Sequence, residues 1–232
     1  MLAPTRGPQC PQSALRFADA RAAVALLAAQ PGIARVFLLG HSLGAMLAPR
    51  IAQGDARIAG LILMAGPTRP LAQVVVDQFK YLASLPGADA PVLRQELQSA
   101  QLAEREADSP ALRPSQTVDL AGSPVPAAYL LDLRGYHPAT VAATLHLPLL
   151  VLQGARDYQV TAPDYEGWQR ALAHDPLASF HLYPGLDHLF MPSSSPGASL
   201  GTPADYAHPA HVAPAVVADI AACLHAPATA AH

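Results

Sequence analysis

A serine between two glycines is the clearest candidate for chemistry in this sequence. Residues 40–44 read Gly-His-Ser-Leu-Gly, and apolar runs lie on both sides of them, at 36–39 and at 45–48. This order predicts a strand, a sharp turn and a helix. A serine on such a strained corner exposes its Oγ, and small neighbours let backbone and helix pass close by. Ser42 is therefore the candidate nucleophile.

A serine hydroxyl needs two partners before it reacts, a histidine that removes its proton and an acid that orients the histidine. Asp157 follows a predicted strand at 147–153, and His188 follows the next predicted strand at 179–183. Because parallel strands end at one edge of a sheet, the two side chains can converge there with Ser42. The order Ser, Asp, His along the chain is that of the α/β-hydrolases rather than of other serine-protease folds.

Other titratable residues are weaker candidates for the site. Asp187 is the obvious rival acid, but a residue adjacent to His188 on a tight loop would seldom reach the Nδ1 atom of the ring. Asp164 and Asp175 are interpreted as helix-cap or surface residues. His41, at the variable position of the pentapeptide, either lines the pocket or simply packs. The remaining histidines lack metal-ligand spacing, so no metal site is expected.

Strands and helices alternate along the chain around these residues. Apolar runs without polar alternation predict strands buried on both faces, as in a parallel sheet. The predicted strands are residues 35–39, 58–64 and 147–153, with a short strand at 179–183. Helices are predicted at 14–30, from Ser42 to about 53, around 165–172, and at 212–224, where Val216, Val217 and Ile220 are expected to face inward.

A long excursion separates the second predicted strand from the third. It holds helical segments near 71–82 and 92–106 and a proline-rich loop at 110–126, and it predicts no central strand. An excursion of about 80 residues in an α/β domain is usually a functional insertion, which favours a helical cap over the site. A helical pair packed on a sheet edge is the alternative. The predicted domains are a core of residues 1–66 and 147–232 and a cap of residues 67–146.

The composition excludes several classes of function. Charged residues make up 13% of the chain and the formal net charge is −3, so neither a nucleic-acid-binding field nor a polybasic membrane patch is expected. The two cysteines, Cys10 and Cys223, are too few for a disulfide scaffold or a zinc site. No apolar run approaches membrane-spanning length and no hydrophobic signal core opens the chain, so a soluble protein is expected, cytoplasmic by default.

The three motifs together resemble those of the α/β-hydrolases, in the branch that contains dienelactone-hydrolase-like and serine-aminopeptidase-like esterases. The resemblance runs from about residue 14 to residue 224. It rests on GHSLG at 40–44, LVLQGARDYQV at 150–160 and YPGLDHLF at 183–190. It implies a parallel sheet with flanking helices and a helical cap that shapes the acyl pocket.

The resemblance also implies a reaction and a role for each residue. A carboxylic ester or related small acyl substrate would be cleaved through an acyl-enzyme on Ser42, without a cofactor. His188 would act as general base and then acid, Asp157 would orient it, and the backbone amide of Leu43 would contribute to the oxyanion hole. Peptidase and acyltransferase activities stay open, because the same acyl-enzyme can form from an amide or be intercepted by an amine.

The chain departs from the family before the pentapeptide. The family normally has four more strands and a first helix there, and one of the loops donates a second N–H to the oxyanion hole. Only about 34 residues precede the predicted strand at 35–39 here. We therefore expect an N-terminally incomplete core, as a fragment or through a start assigned too late, with a homodimer through the open edge as a weaker possibility. The alternative function is a catalytically impaired or non-catalytic remnant that acts as a binding or vestigial domain.

Overall fold

A parallel sheet of four strands organises the chain. The computed structural model describes residues 12–87, 90–193, 198–207 and 209–226. In chain order its helices and strands are α1 (Gln12–Ala28), β1 (Val36–His41), α2 (Leu43–Ala52), β2 (Ile58–Met64), α3 (Leu71–Ser84), α4 (Ala90–Asp108), β3 (Thr117–Leu120), β4 (Ser123–Pro126), α5 (Ala127–Leu133), α6 (Pro138–Ala142), β5 (Leu149–Gly154), α7 (Ala162–Ala171), β6 (Ala178–Tyr183) and α8 (Pro214–His225), with a 3₁₀ helix at Pro203–Ala207. The sheet order is β1-β2-β5-β6, and each adjacent pair is parallel.

The two central strands separate two apolar layers. Leu61 and Leu63 of β2 face one layer, whereas Ile62 and Met64 face the other. The first layer is completed by α1, α2 and α7, and the second by Val216 of α8. Helices on both faces explain why β2 and β5 are apolar at nearly every position, as predicted for a buried parallel sheet.

β1 differs from the predicted strand that is buried on both faces. Within the described residues it pairs only with β2, so it lies at an edge of the sheet. The side chain of Leu39 is 47% exposed as a result, although its residue type is that of a buried strand. In α8 the prediction for Val217 is also wrong, because that side chain is 56% exposed while Val216 is fully buried.

The segment between β2 and β5 contains more than the predicted helices. The proline-rich stretch predicted to be loop, 110–126, includes the antiparallel pair β3–β4, and the helix α5 begins directly after it. A two-residue turn joins β3 to β4, with φ of 49° at Ala121 and 77° at Gly122. Two left-handed residues form the tight turn that suits a twisted hairpin. Alanine is an uncommon residue for the first of these positions, so the sequence pattern did not indicate a hairpin.

This segment packs partly on itself and partly on the sheet layers. Ala72, Ala103, Val118 and Leu130 belong to a separate apolar cluster formed by α3, α4, the hairpin and α5. Helix α6 and part of α5 instead join the layer that contains α2. The division into a core and a cap stays a prediction. Among the described helices, none combines the length and apolar character needed to cross a membrane.

Candidate active site

Ser42 lies at the corner between β1 and α2. Its backbone has φ 55° and ψ −121°, a left-handed conformation that is strained for a serine. Its N–H donates to the carbonyl oxygen of Met64 at 2.8 Å, which fixes the corner to the end of β2. The side chain does not cap α2, so the hydroxyl is not engaged by the helix that follows it. The structure therefore contains the strand, sharp turn and helix that the pentapeptide predicts.

The two glycines of the pentapeptide have different surroundings. A Cβ atom on Gly40 would lie 2.3 Å from the carbonyl oxygen of Gly44, which is backbone and cannot move aside. A Cβ atom on Gly44 would meet no atom within 4 Å among the described residues. The close approach expected at this corner therefore requires glycine at position 40 and leaves position 44 open.

Asp157 is held rigidly in the loop after β5. Its side chain is buried, and Oδ1 accepts hydrogen bonds from the backbone amides of Gln159 and Val160 at 2.8 and 2.9 Å. Oδ2 accepts from His188 Nδ1 at 2.8 Å and from Gln153 Nε2 at 3.2 Å. Both oxygens are thus satisfied, and the carboxylate has a single direction in which to meet the imidazole.

Gln153 is a buried polar residue that the sequence reasoning did not identify. Its Nε2 donates to Asp157 and also to the carbonyl oxygens of Gly154 and Val160 at 3.0 and 2.9 Å. It therefore ties the end of β5 to the loop that carries the carboxylate. Its place at the end of an otherwise apolar run could have indicated this role, because a polar side chain buried there needs hydrogen-bond partners.

His188 is buried in the loop after β6, and its Nδ1 contacts Asp157. A carboxylate only accepts hydrogen bonds, so Nδ1 carries the proton and the neutral ring presents a bare Nε2. Gly154 makes this approach possible, because a Cβ atom there would lie 2.4 Å from the carbonyl oxygen of Asp187. The His188–Asp157 pair has the arrangement that a general base requires.

His188 lies beside His41, the residue that precedes Ser42. Within the part of the chain that the structure describes, no hydrogen bond joins Ser42 Oγ to His188. The residue before Ser42 makes the contact instead: His41 Nε2 lies 2.8 Å from the carbonyl oxygen of His188, and the two imidazole ring centres are 4.7 Å apart. Serine–histidine bonds are often long without a substrate and tighten when one binds.

A profile of the family described as serine aminopeptidase, S33, matches residues 4–193. The chain belongs to this family. The predicted resemblance to α/β-hydrolases is confirmed.

The chain is also similar to an esterase. Over 203 residues, 88% of the chain, this S33 family member is 36% identical to esterase EstD of Thermotoga maritima. The match covers 46% of EstD, so the chain spans about half the length of this relative.

The solved structure of Est1E supports the α/β-hydrolase fold. Est1E of Butyrivibrio proteoclasticus superposes with a TM-score of 0.50 at 14% identity, covering 74% of this chain and 60% of Est1E. An esterase domain from a Rhodothermus marinus protein is 23% identical with a TM-score of 0.45, covering 74% of this chain and 58% of that one.

Asp187, the rival acid, bonds to the backbone of its own loop rather than to the ring of His188. Its Oδ1 accepts from the backbone amides of Leu189 and Met191 at 2.9 and 3.0 Å, so it shapes the loop around His188. Its Oδ2 is buried and has no hydrogen-bond partner among the described residues. Burial raises the pKa of this carboxyl, and the negative charges of Asp205 and Asp157 raise it further.

The prediction that Asp164 is a helix-cap or surface residue is wrong. It is completely buried on α7, and it accepts hydrogen bonds from the backbone amides of Thr68 and Arg69 at 2.9 and 3.1 Å. The Arg69 guanidinium also pairs with it at 2.8 Å. The partners of Asp164 are 95 and 96 residues away in the sequence, which is why local pattern could not reveal them.

Leu43 is the first residue of α2, where a backbone N–H has no acceptor inside the helix. That amide stays the predicted oxyanion donor. The described residues before β1 form α1 and a connecting loop, so a second donor is not identified there.

A cavity of about 140 Å³ lies between α2 and the segment that follows β2. Met46, Leu71, Leu130 and Tyr136 are among its lining residues, and Ser42 is not. No group of three or more His, Cys, Asp or Glu side chains suited to a metal ion occurs in the described residues.

Proposed function

We propose that this chain is a serine hydrolase that cleaves a carboxylic ester or a related small acyl substrate. The observation that carries the proposal is the buried His188–Asp157 pair, 2.8 Å apart, at the sheet edge where the strained corner presents Ser42. Membership of a serine hydrolase family and the similarity to an esterase support the same reaction class.

The chemistry follows from the roles these groups can take. Ser42 Oγ attacks the acyl carbon while its proton moves to Nε2 of His188, and the new imidazolium is stabilised by Asp157. The carbonyl oxygen becomes an oxyanion near the amide of Leu43, at the positive end of α2. His188 then returns the proton to the departing alcohol, which leaves an ester on Ser42.

The second half of the reaction repeats these steps with water. His188 removes a proton from water, and the water oxygen forms a bond to the acyl carbon. The bond between that carbon and Ser42 Oγ then breaks. His188 finally gives the proton back to Ser42 Oγ, so the products are a carboxylic acid and an alcohol. The ester and one water molecule are consumed, and Ser42 and His188 return to their starting states.

Hydrolysis of p-nitrophenyl acetate, butyrate and octanoate by the 232-residue chain tests this proposal. We expect turnover of the shorter esters and a loss of about 1000-fold or more in kcat for Ser42→Ala, since the remaining groups only bind and polarise the substrate. An aminoacyl p-nitroanilide assayed in parallel tests the amide. Equal rates for wild type and folded Ser42→Ala would contradict the mechanism, and faster cleavage of the anilide would contradict the ester preference.

A further inference from the structure

His41 connects two parts of the site that follow the two outer strands of the sheet. β1 and β6 are the outer strands in the order β1-β2-β5-β6. Neighbouring strands lie about 4.8 Å apart, so the ends of β1 and β6, which lead into the Ser42 corner and the His188 loop, are separated by roughly 14 Å. The hydrogen bond from His41 to the His188 carbonyl joins them directly, and no other hydrogen bond does so among the described residues.

We propose that His41 is a positioning residue that holds the His188 loop against the corner carrying Ser42. A carbonyl oxygen only accepts hydrogen bonds, so Nε2 of His41 carries the proton and donates it. The centres of the His41 and His188 rings lie 4.7 Å apart, with the rings tilted by 49°. The ring of Phe190 meets the ring of His41 edge-on at 6.3 Å. His41 thus restrains the backbone of His188 through its donor and the ring of His188 through contact.

The electrostatic setting suits a neutral donor at this position. Burial lowers the pKa of His41, and the neighbouring His188 lowers it as well. Together they outweigh the hydrogen bond to the His188 carbonyl and the negative charge of Asp157, which both raise this pKa. A neutral His41 places no second positive charge beside His188 when that residue takes the proton of Ser42. The donor is therefore available without opposing the proton transfer.

This inference rests on the proposed function, because it concerns how Ser42 and His188 stay aligned. The adjacent Ser42 moves with His41 as part of one backbone corner. Loss of the bond would let the imidazole drift from the hydroxyl, and small misplacements of reacting groups lower the rate steeply. Substrate binding would change little, since His41 is assigned no contact with the substrate.

Three substitutions separate the donor from the ring. His41→Gln keeps an N–H donor at the same number of bonds from Cα, His41→Phe keeps the ring without a donor, and His41→Ala removes both. The measurements are kcat and KM for p-nitrophenyl acetate and the rate constant for inactivation by a fluorophosphonate. We expect His41→Gln to stay within about threefold of wild type, and His41→Phe and His41→Ala to lose about tenfold or more in kcat and inactivation with KM unchanged.

His181→Gln is the matched control. That histidine also bonds through its ring, to Asp219 at 2.8 Å, but it lies on the surface near α8. We expect no change in kcat for this variant. Wild-type rates in His41→Phe would overturn the inference, and so would equal losses in His41→Gln and His41→Ala.

The failure of the inference and that of the proposed function are distinguishable. If folded wild type does not react with the fluorophosphonate at Ser42, the proposed function fails, and the imidazole ¹⁵N spectrum of His188 then decides the role of His41. A single Nδ1–H tautomer in wild type and His41→Gln, with a mixture in His41→Phe, supports positioning by His41. An unchanged spectrum in His41→Phe overturns it.

Discussion

Asp187 has a buried carboxyl oxygen, and its titration makes the stability of the protein depend on pH. A carboxyl whose pKa is raised by burial is less stable in its charged form in the folded protein than in the unfolded chain. The folded state binds the extra proton, so the contribution of Asp187 to stability is full below the unfolded pKa of about 4 and is lost as pH rises through the folded pKa. Wild type should therefore lose stability relative to Asp187→Asn over that range.

The free energy of unfolding in urea, measured for both proteins from pH 4 to pH 8, checks this prediction. The substituted amide keeps an oxygen that can accept from Leu189 and Met191, so the loop geometry is retained. A constant difference between the two proteins across this range would mean that Asp187 titrates normally. A difference that grows in favour of wild type would contradict the sign.

Residue types and spacing predicted Ser42, Asp157 and His188 as site residues because each follows a strand in a short, recognisable motif. The hydrogen-bonding roles of Gln153 and Asp164 were not predicted, because each residue acts through partners that only the tertiary structure brings near. His41 was assigned either to the pocket or to packing, and its bond to a carbonyl 147 residues away could not be inferred from the pentapeptide.

At the scale of elements, the corner between β1 and α2 predicts opposite outcomes for two glycines. Gly40→Ala drives a Cβ atom into the backbone of Gly44, so we expect a loss of about 3 kcal/mol or more in the free energy of unfolding. Gly44→Ala meets nothing within 4 Å and replaces a glycine inside a helix. We expect it to be neutral or to stabilise by up to about 1 kcal/mol.

Thermal or urea unfolding of the two alanine variants distinguishes these outcomes. The pair is matched, because both changes add one methyl group to the same pentapeptide. Similar stabilities would contradict the close packing described at Gly40. Strong destabilisation by Gly44→Ala would show that position 44 is packed in solution.

Elements were predictable where an apolar run or a helical period dominates. β2 has the predicted bounds because its residues are apolar throughout and it lies between two other strands. β1 is likewise apolar from Val36 to Leu39, and its place at the end of the sheet order leaves Leu39 exposed. The hairpin β3–β4 was not predicted, since prolines and an alanine turn residue conceal a pairing that depends on packing against α4.

At the scale of the whole molecule, Arg69 joins the start of the long insertion to the sheet layers. It pairs with buried Asp164 of α7 at 2.8 Å and with Asp77 of α3 at 2.6 Å. Removing the Asp164 carboxylate leaves the Arg69 guanidinium with Asp77 alone, and it leaves the backbone amides of Thr68 and Arg69 without their buried acceptor. We expect Asp164→Ala to lower the free energy of unfolding by about 3–5 kcal/mol.

Glu166→Gln is the control for that measurement. It removes a carboxylate from the same helix whose pair with Arg170 is 3.5 Å long and exposed, so a change below about 1 kcal/mol is expected. Urea unfolding of both variants compares a buried tie with a surface pair. Equal effects would contradict the role assigned to Asp164.

The fold class followed from three motifs in a fixed order, because each motif marks the end of a strand at the same edge of the sheet. The boundaries of a core and a cap stay a prediction. Helices α5 and α6 lie within the predicted cap yet pack against the layer that contains α2. Which surface a mid-chain helix covers depends on long-range contacts that periodicity does not encode.

Fluorophosphonate labelling followed by mass spectrometry of the digested chain tests the central claim most directly. We expect one covalent adduct per chain, located on Ser42, with no adduct in Ser42→Ala and slow labelling in His188→Ala, because the probe reacts only with an activated serine. Folded wild-type protein that carries no adduct on Ser42, or carries it on another residue, would contradict the assignment of Ser42, His188 and Asp157 as the catalytic groups.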